Sequence, residues 1–270
     1  MVLLHLGVSG AGATGHAPES APVARTTSGK LKFAVANIPN RTSDTRFAES
    51  MSTLTARRPS VIMLNEVSGR ELDELRAAAP GYDAFRKTKP DTSTGGSQSM
   101  NNVVMWRINN WTRGSGGRVT LVDDDQGYQN GRKFTWDRYA TWVTLRRADG
   151  TKASFVSTHM PTNPAKFPRQ HGDPAMTRVE MYAAGMDVLV GLVRRLSRKG
   201  PVFVGGDMNS HHNQGKWTAA AKMTAAGFTY AKDRGVMYLF YRPDAALVRS
   251  RELRVASSHP ALVTTLNTTT

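Results

Sequence analysis

The segment Val202-Phe-Val-Gly-Gly-Asp-Met-Asn-Ser210 constrains the fold of this chain more than any other. A short apolar run ends in two glycines, an acid, and an amide two residues later. Residues i and i+2 of an extended chain point the same way, so Asp207 and Asn209 can share one site at a strand's exit. Gly205 and Gly206 leave room for another group to approach the backbone. Gly-Asp after a strand is also a common turn, and this segment alone does not separate the two readings.

Four other segments repeat the pattern. Phe33-Ala-Val-Ala-Asn37 is a strand ending in an amide, and Val61-Ile-Met-Leu-Asn-Glu-Val67 is a strand carrying Glu66 at its end. Phe155-Val-Ser-Thr-His-Met-Pro161 ends in His159, and Ser257-Ser-His-Pro-Ala-Leu262 presents His259 before a final apolar strand. Each exit delivers a residue able to bind a metal or move a proton, and five such exits in one chain exceed what chance turns supply.

With 270 residues, 39% of them hydrophobic and 21% charged, the chain can bury a large core as one globular domain or at most two. No stretch approaches the ~20 apolar residues of a membrane span. The absence of cysteine excludes disulfides and thiolate metal sites. Residues 1–30 are Gly-, Ala-, Ser- and Pro-rich after a short apolar start. They are expected to be a disordered tail or the remnant of a signal peptide, which leans towards a secreted protein. The net charge of +15 favours an anionic partner: nucleic acid, phospholipid head groups or a cell-wall polymer. The sequence shows no long hydrophobic surface hairpin, which counts against a lipid substrate.

The elements alternate. Strands are expected at 31–37, 61–66, 102–106, 117–122, 139–147, 153–158, 201–206, 236–240, 245–249 and 261–266. Helices are expected at 44–57, 70–78 and 216–226, with a longer one opened by Asp173-Pro174. Val179, Tyr182, Met186, Leu189 and Leu196 keep the spacing of a helix packed on a sheet. Ala148-Asp-Gly150 between two β-rich runs is a hairpin signal. This order predicts a layered α/β or α+β domain.

Taken together, Gly206-Asp-Met-Asn209 and Ser257-Ser-His-Pro260, with Glu66 and His159 upstream, resemble the endonuclease/exonuclease/phosphatase superfamily, the DNase-I-like fold. The resemblance runs over roughly residues 31 to 266 and places the domain at 31–270. It implies a four-layer αββα sandwich, two packed mixed sheets flanked by helices, with the site at one edge. It implies a monomeric phosphodiester hydrolase dependent on Mg2+ or Mn2+, most readily a nuclease given the basic charge. Glu66 and Asn37 suit magnesium, which takes one or two protein oxygens and completes its octahedron with waters. Asp207 can accept a proton from an attacking water, and Asn209 can orient that water or the phosphate. His159 and His259 are candidate hydrogen-bond donors to the transition state. Arg138 resembles the family's phosphate-facing arginine, and Asn102, in the pair Asn101-Asn102, is a second candidate substrate contact.

Three positions depart from the family pattern. Asn65 stands where a glutamine commonly precedes the metal-binding glutamate. Ser258 replaces an aspartate that commonly helps hold the metal, and Met237 replaces the aspartate that orients the catalytic histidine. Losing such an orienter can cost orders of magnitude in rate. Asp233 and Asp244 are the acids positioned in sequence to compensate. Two alternatives therefore stay open: a weak or inactive family member that binds anionic polymer, and an esterase acting on lipid or small phosphoesters.

Overall fold

The computed structural model describes residues 28–87, 101–129, 132–162, 164–165 and 176–269. Of the predicted N-terminal tail, residues 1–27 lie outside these residues, while 28–30 already belong to the first strand; Asp173 and Pro174 also lie outside, and the helix they were expected to open starts at Arg178 instead. Two six-stranded mixed sheets form the centre. The first contains β1 (Ser28–Asn37), β2 (Val61–Asn65), β3 (Tyr82–Phe85), β4 (Val103–Arg107), β11 (Ala246–Leu253) and β12 (Ala261–Thr269), ordered β11-β12-β1-β2-β4-β3. The second contains β5 (Thr112–Gln129), β6 (Arg132–Arg146), β7 (Lys152–His159), β8 (Val202–Asp207), β9 (Thr229–Lys232) and β10 (Met237–Tyr241), ordered β5-β6-β7-β8-β10-β9. Helices α1 (Asp44–Thr55) and α2 (Leu72–Ala77) cover the first sheet; α3 (Arg178–Ser197) and α4 (Ala219–Ala225) cover the second.

The four layers follow from strands that are apolar on both faces. On β1, Phe33 and Val35 point to the opposite sheet, while Ala34 and Ala36 lie under Phe47, Met51 and Leu54 of α1. Between the sheets Phe33 sits 4.8 Å from Phe203, which stacks on Phe155 at 5.5 Å. On the other side Tyr182, Met186, Leu189 and Leu196 of α3 pack on Val156, Val204 and Phe240, as their spacing predicts. That helix is capped at Thr177, whose hydroxyl accepts from the Glu180 N–H at 3.2 Å while Glu180 accepts from the Thr177 N–H at 2.7 Å. The Thr-x-x-Glu signal for this cap is present in the sequence.

The structure corrects the expected elements in three places. The short strands β3 and β9 were not predicted; both are four-residue edge strands, too short to show a period. The strands expected at 117–122 and 139–147 are the inner parts of a much longer β5–β6 hairpin. Pairing of β6 with β7 begins at Ala140, so residues 132–139 rise as a two-stranded ribbon beyond the end that carries His159. In sequence the rising part mixes charged residues, Asp137 and Arg138 among them, with the aromatics Trp136 and Tyr139. The predicted Ala148-Asp-Gly150 turn links β6 to β7, with Gly150 at φ +87°.

The space left by the paired glycines of β8 is filled by protein. A Cβ on Gly205 would lie 2.4 Å from Met63 Sδ on the facing sheet, and one on Gly206 would lie 1.7 Å from the Thr158 carbonyl oxygen of β7. Close approach of both the facing sheet and the neighbouring strand thus requires these residues. Gly206→Ala should cost about 1–3 kcal/mol or more through overpacking against backbone. Gly191→Ala, in α3 with nothing within 4 Å, should be neutral or stabilise by about 0.4–1 kcal/mol. Chemical denaturation of the two variants checks the contrast; equal effects would contradict it.

Candidate active site

Four strand ends meet where the two sheets converge. Asn37 and Asn65 are register partners at the ends of β1 and β2, and His159 and Asp207 are register partners at the ends of β7 and β8. The Asn37 amide nitrogen spans the gap, donating to Glu66 Oε1 at 2.8 Å and to Asp207 Oδ2 at 3.0 Å. In the other direction the Asp207 N–H donates to Asn65 Oδ1 at 2.9 Å. Asn65 Nδ2 in turn donates to Asn102 Oδ1 at 2.8 Å and to Ser157 Oγ at 3.2 Å. Asn65 is thus a bracket between the sheets, a role the sequence does not reveal because Ser157 and Asp207 are remote in chain order.

Two of the predicted residues hold left-handed backbone conformations. Glu66 has φ +61° and Asn209 φ +48°. Asparagine tolerates this region, but glutamate seldom occupies it, and such strain costs of order 1–3 kcal/mol. The turn at Glu66 breaks the alternation of β2, and its N–H donates to Asn101 Oδ1 at 3.2 Å. Asn209 donates its backbone N–H to Asp207 Oδ1 at 3.0 Å and its amide to the Met160 carbonyl at 2.9 Å. In this arrangement Asn209 fixes Asp207.

The histidines stand over this floor. His159 Nε2 lies 3.9 Å from Glu66 Oε1 and 4.0 Å from Asp207 Oδ2, and His259 Nε2 lies 3.8 Å from Asp207 Oδ2. Asp207 and Asn37 are buried, whereas the side chains of Glu66 and His259 are about one-third exposed, at 33% and 35%. The site therefore grades from a dry floor to an open rim. Burial raises the Asp207 carboxyl, with His259 and the Asn37 and Asn209 donors partly opposing it. Burial also holds His159 well below its usual value, reinforced by the charges of Arg138 and His259. His159 is therefore a neutral imidazole at neutral pH.

Asn101 Oδ1, which accepts from Glu66, also lies 3.3 Å from His159 Nδ1. An acceptor there assigns the proton to Nδ1 and leaves Nε2 as an acceptor facing two carboxylate oxygens. Asn37 Oδ1 is buried without a hydrogen bond. Glu66 Oε1 and Asp207 Oδ2 thus lie within 4.0 Å of His159 Nε2 and share the Asn37 amide donor, and their carboxylate oxygens, with the unpartnered Asn37 Oδ1, are of the kind that suits a hard cation with bound water. Among the described residues no cluster of three or more His, Cys, Asp or Glu forms a metal site by itself. The fit rests on oxygen donors that include an amide: Glu66 and Asn37, with Asp207 behind them.

Of the two expected substrate contacts, Arg138 is buried, lies with its Cζ 5.4 Å from the Trp136 ring, and acts electrostatically on His159. Asn102 has turned inward. It is 1% exposed, accepts from Asn65 and donates to the Tyr139 carbonyl at 2.6 Å, so its neighbour Asn101 is the one that reaches the site. Neither proposed substitute for the missing orienter is available. Asp233 Oδ1 accepts from the N–H groups of Gly235 and Met237 and forms the β9–β10 turn. Asp244 follows β10 at the far end of the sandwich. Met237 is fully buried in the inter-sheet core, directly opposite Asp207 on the neighbouring strand.

The sequence model of the Endonuclease/Exonuclease/phosphatase family matches residues 36–231, more than two thirds of the chain. The chain belongs to this family. Solved structures share its fold at low identity. An endonuclease/exonuclease/phosphatase family protein from Bacteroides thetaiotaomicron is 14% identical, with a TM-score of 0.67 over 90% of this chain and 99% of that one. A mannosyl-6-phosphatase from the same organism is 14% identical, with a TM-score of 0.65 over 87% and 99%. TDP2 of D. rerio complexed with a single-strand DNA product is 12% identical, with a TM-score of 0.61 over 88% and 99%. No curated protein sequence matches the chain. Among the described residues no helix is long and apolar enough to cross a membrane. Family members are hydrolytic phosphoesterases that commonly use divalent metals.

Two stability consequences follow from the buried groups. The unfolded chain protonates His159 near pH 6.5 while the folded chain does not, so folding stability should fall as pH drops below 6.5. The slope has an upper limit of ~1.4 kcal/mol per pH unit for one proton. His159→Gln should flatten this limb of a melting-temperature profile. Asp207→Asn removes a carboxylate whose burial is unfavourable and should raise the melting temperature at pH 7. A fall of several degrees would show instead that its hydrogen bonds outweigh the desolvation.

Proposed function

We infer that the chain is a divalent-cation-dependent phosphodiester hydrolase whose favoured substrate is nucleic acid. One observation carries the reading: Glu66 Oε1 and Asp207 Oδ2 share the Asn37 amide donor and lie within 4.0 Å of His159 Nε2, with the Arg138 charge acting on the same imidazole. A bound Mg2+ or Mn2+ would be held by Glu66 and Asn37 and would supply a Lewis acid for the phosphoryl oxygens. Asp207, its proton affinity raised by burial, takes a proton from the attacking water. Asn209 and Asn65 hold Asp207 in place through its backbone and carboxylate. Arg138 attracts the phosphate, and an anion arriving beside His159 raises its affinity for a proton, turning the imidazole into a donor. His259, on the open rim, is positioned to protonate the leaving oxygen. The DNA product bound by TDP2 and the basic charge of this chain favour a nucleic acid, while the mannosyl-6-phosphatase shows that the fold also serves small esters.

One observation favours a second reading, a slow or inactive member that retains anion binding. Met237 leaves His259 with Asp207 as its nearest carboxylate, at 3.8 Å, too far for a hydrogen bond. Incubation with plasmid DNA, RNA and bis-p-nitrophenyl phosphate, with magnesium, manganese or chelator, distinguishes the two. Metal-dependent cleavage is expected, and Glu66→Gln should lower it by about 10²–10³-fold with the melting temperature nearly unchanged. No turnover of any ester would select the binding reading.

Restoring the missing acids is a second test. Ser258 is exposed, so Ser258→Asp should tighten metal binding at little cost. Met237→Asp should raise the rate by giving His259 a partner. It also places a second buried carboxylate opposite Asp207, so the melting temperature should fall and partly recover with metal. A lower rate together with lower stability would remove position 237 from the catalytic argument.

A further inference from the structure

A cationic face lies outside the site, on the side of the first sheet away from the second. Pairing places Lys32 of β1 opposite Thr265 of β12, and Thr265 opposite Arg249 of β11, so Lys32 and Arg249 lie about 10 Å apart on one face. Arg251 follows Arg249 on the same face, about 6.6 Å along the strand. Arg57, just past α1, closes the group: its carbonyl accepts from Lys32 Nζ at 2.8 Å. Among the described residues none of Lys32, Arg57, Arg249 and Arg251 is in an ion pair. Glu252, the adjacent acid, alternates to the opposite face and accepts from the Arg234 N–H at 2.9 Å. The charges feel one another: burial first, then Arg57 and Arg249, lower the proton affinity of Arg251. An uncompensated group of this kind on a marginally stable fold suits an external anion that relieves the repulsion.

We propose that Lys32, Arg57, Arg249 and Arg251 form a docking surface for the phosphate backbone of a nucleic acid strand whose scissile phosphodiester reaches the site at the start of β12. This deepens the nucleic-acid reading and rests on it. The placement selects a linear polyanion. Arg251 pairs with Val263, four residues beyond His259, or about 13 Å along the strand direction. Arg249 and Lys32 lie further down the same face. A flexible chain can lie along that line and bend over the sandwich edge into the site. A planar bilayer resting on this face would leave the strand ends, and so the site, directed along the membrane rather than into it. The aliphatic side chains exposed beside the patch, Leu247 and Val248, are two residues without an aromatic, a small wedge for a bilayer.

The experiment is fluorescence anisotropy of a labelled 30-nucleotide DNA strand with chelator present, so that binding is read without cleavage, from 50 to 200 mM salt. Arg249→Gln/Arg251→Gln is compared with Arg194→Gln/Arg195→Gln, which removes the same charge from exposed positions on α3. The β11 pair should weaken binding at least tenfold at low salt and reduce the slope of log Kd against log salt by roughly 1.4 for two lost phosphate contacts on a single strand. The α3 pair should change Kd less than threefold. Hydrolysis of bis-p-nitrophenyl phosphate should be unaffected by the β11 pair, which keeps this proposal separate from the catalytic one. Lys32→Gln/Arg57→Gln, on other elements, should repeat the loss and guards against misfolding of the edge strand. Equal losses from both faces, or no DNA binding by the wild type, would overturn the proposal even if the small ester is cleaved. So would β11-dependent binding to phosphatidylserine vesicles with DNA affinity unchanged.

Discussion

The contact between Asn37, Asp207 and Asn65 ties the two sheets together at their carboxyl ends, and the geometry of the site depends on it. Asn37 donates across the gap to the Asp207 carboxylate, and Asn65 accepts the Asp207 N–H back across it. Both bonds need the sheets to come close. Gly205 permits that approach, and the Phe33, Phe155 and Phe203 rings hold it from below. A buried carboxylate is costly, and the amides around it offset part of that cost by hydrogen bonding. The result is an acid with raised proton affinity, held on rigid strand ends.

Strain and burial then distinguish the groups around that acid. Glu66 leaves its strand through a left-handed turn, which aims it at Asn37 rather than into the sheet face. His159 is buried and neutral, while His259 stands at the rim. One carboxylate is dry and one is wet, and one imidazole is dry and one is wet. Environments that push like groups apart allow acid and base roles to coexist at one pH. Met237 is the discordant element, an apolar side chain opposite Asp207 where the family resemblance implies an acid. Its burial explains why the fold tolerates it: methionine completes the inter-sheet core.

Charge is distributed on a larger scale than the site. The net +15 includes cations committed to the fold, such as Arg70 with Asp44 and Glu74, and Arg76 with Asp73 and Asp83. Those pairs order α2 and its surroundings, and most are exposed enough to contribute little energy each. The group around Arg251 has no such partners among the described residues, so composition and structure together separate structural cations from those left for a ligand.

The strand exits at Asn37, Glu66, His159, Asp207 and His259, and the layered α/β order, were determined by the sequence alone. A strand's apolar run, its end and its following polar residue are local, and α3 declares itself through its 3.6-residue period. The family resemblance added the pairing of sheets. Short edge strands and the long β5–β6 ribbon carried no clear period and escaped notice. Only the tertiary structure decided which amide faces the site: Asn101 and Asn102 are adjacent in sequence just before β4, but one contacts Glu66 and His159 and the other joins the inter-sheet bracket. It also decided that Asp233 forms a turn and Asp244 lies at the wrong end, because the direction of β10 is a property of the sheet. The proton affinities of Asp207 and His159 were likewise beyond the sequence, since burial and distant charges set them, and both exist only once remote segments have packed together.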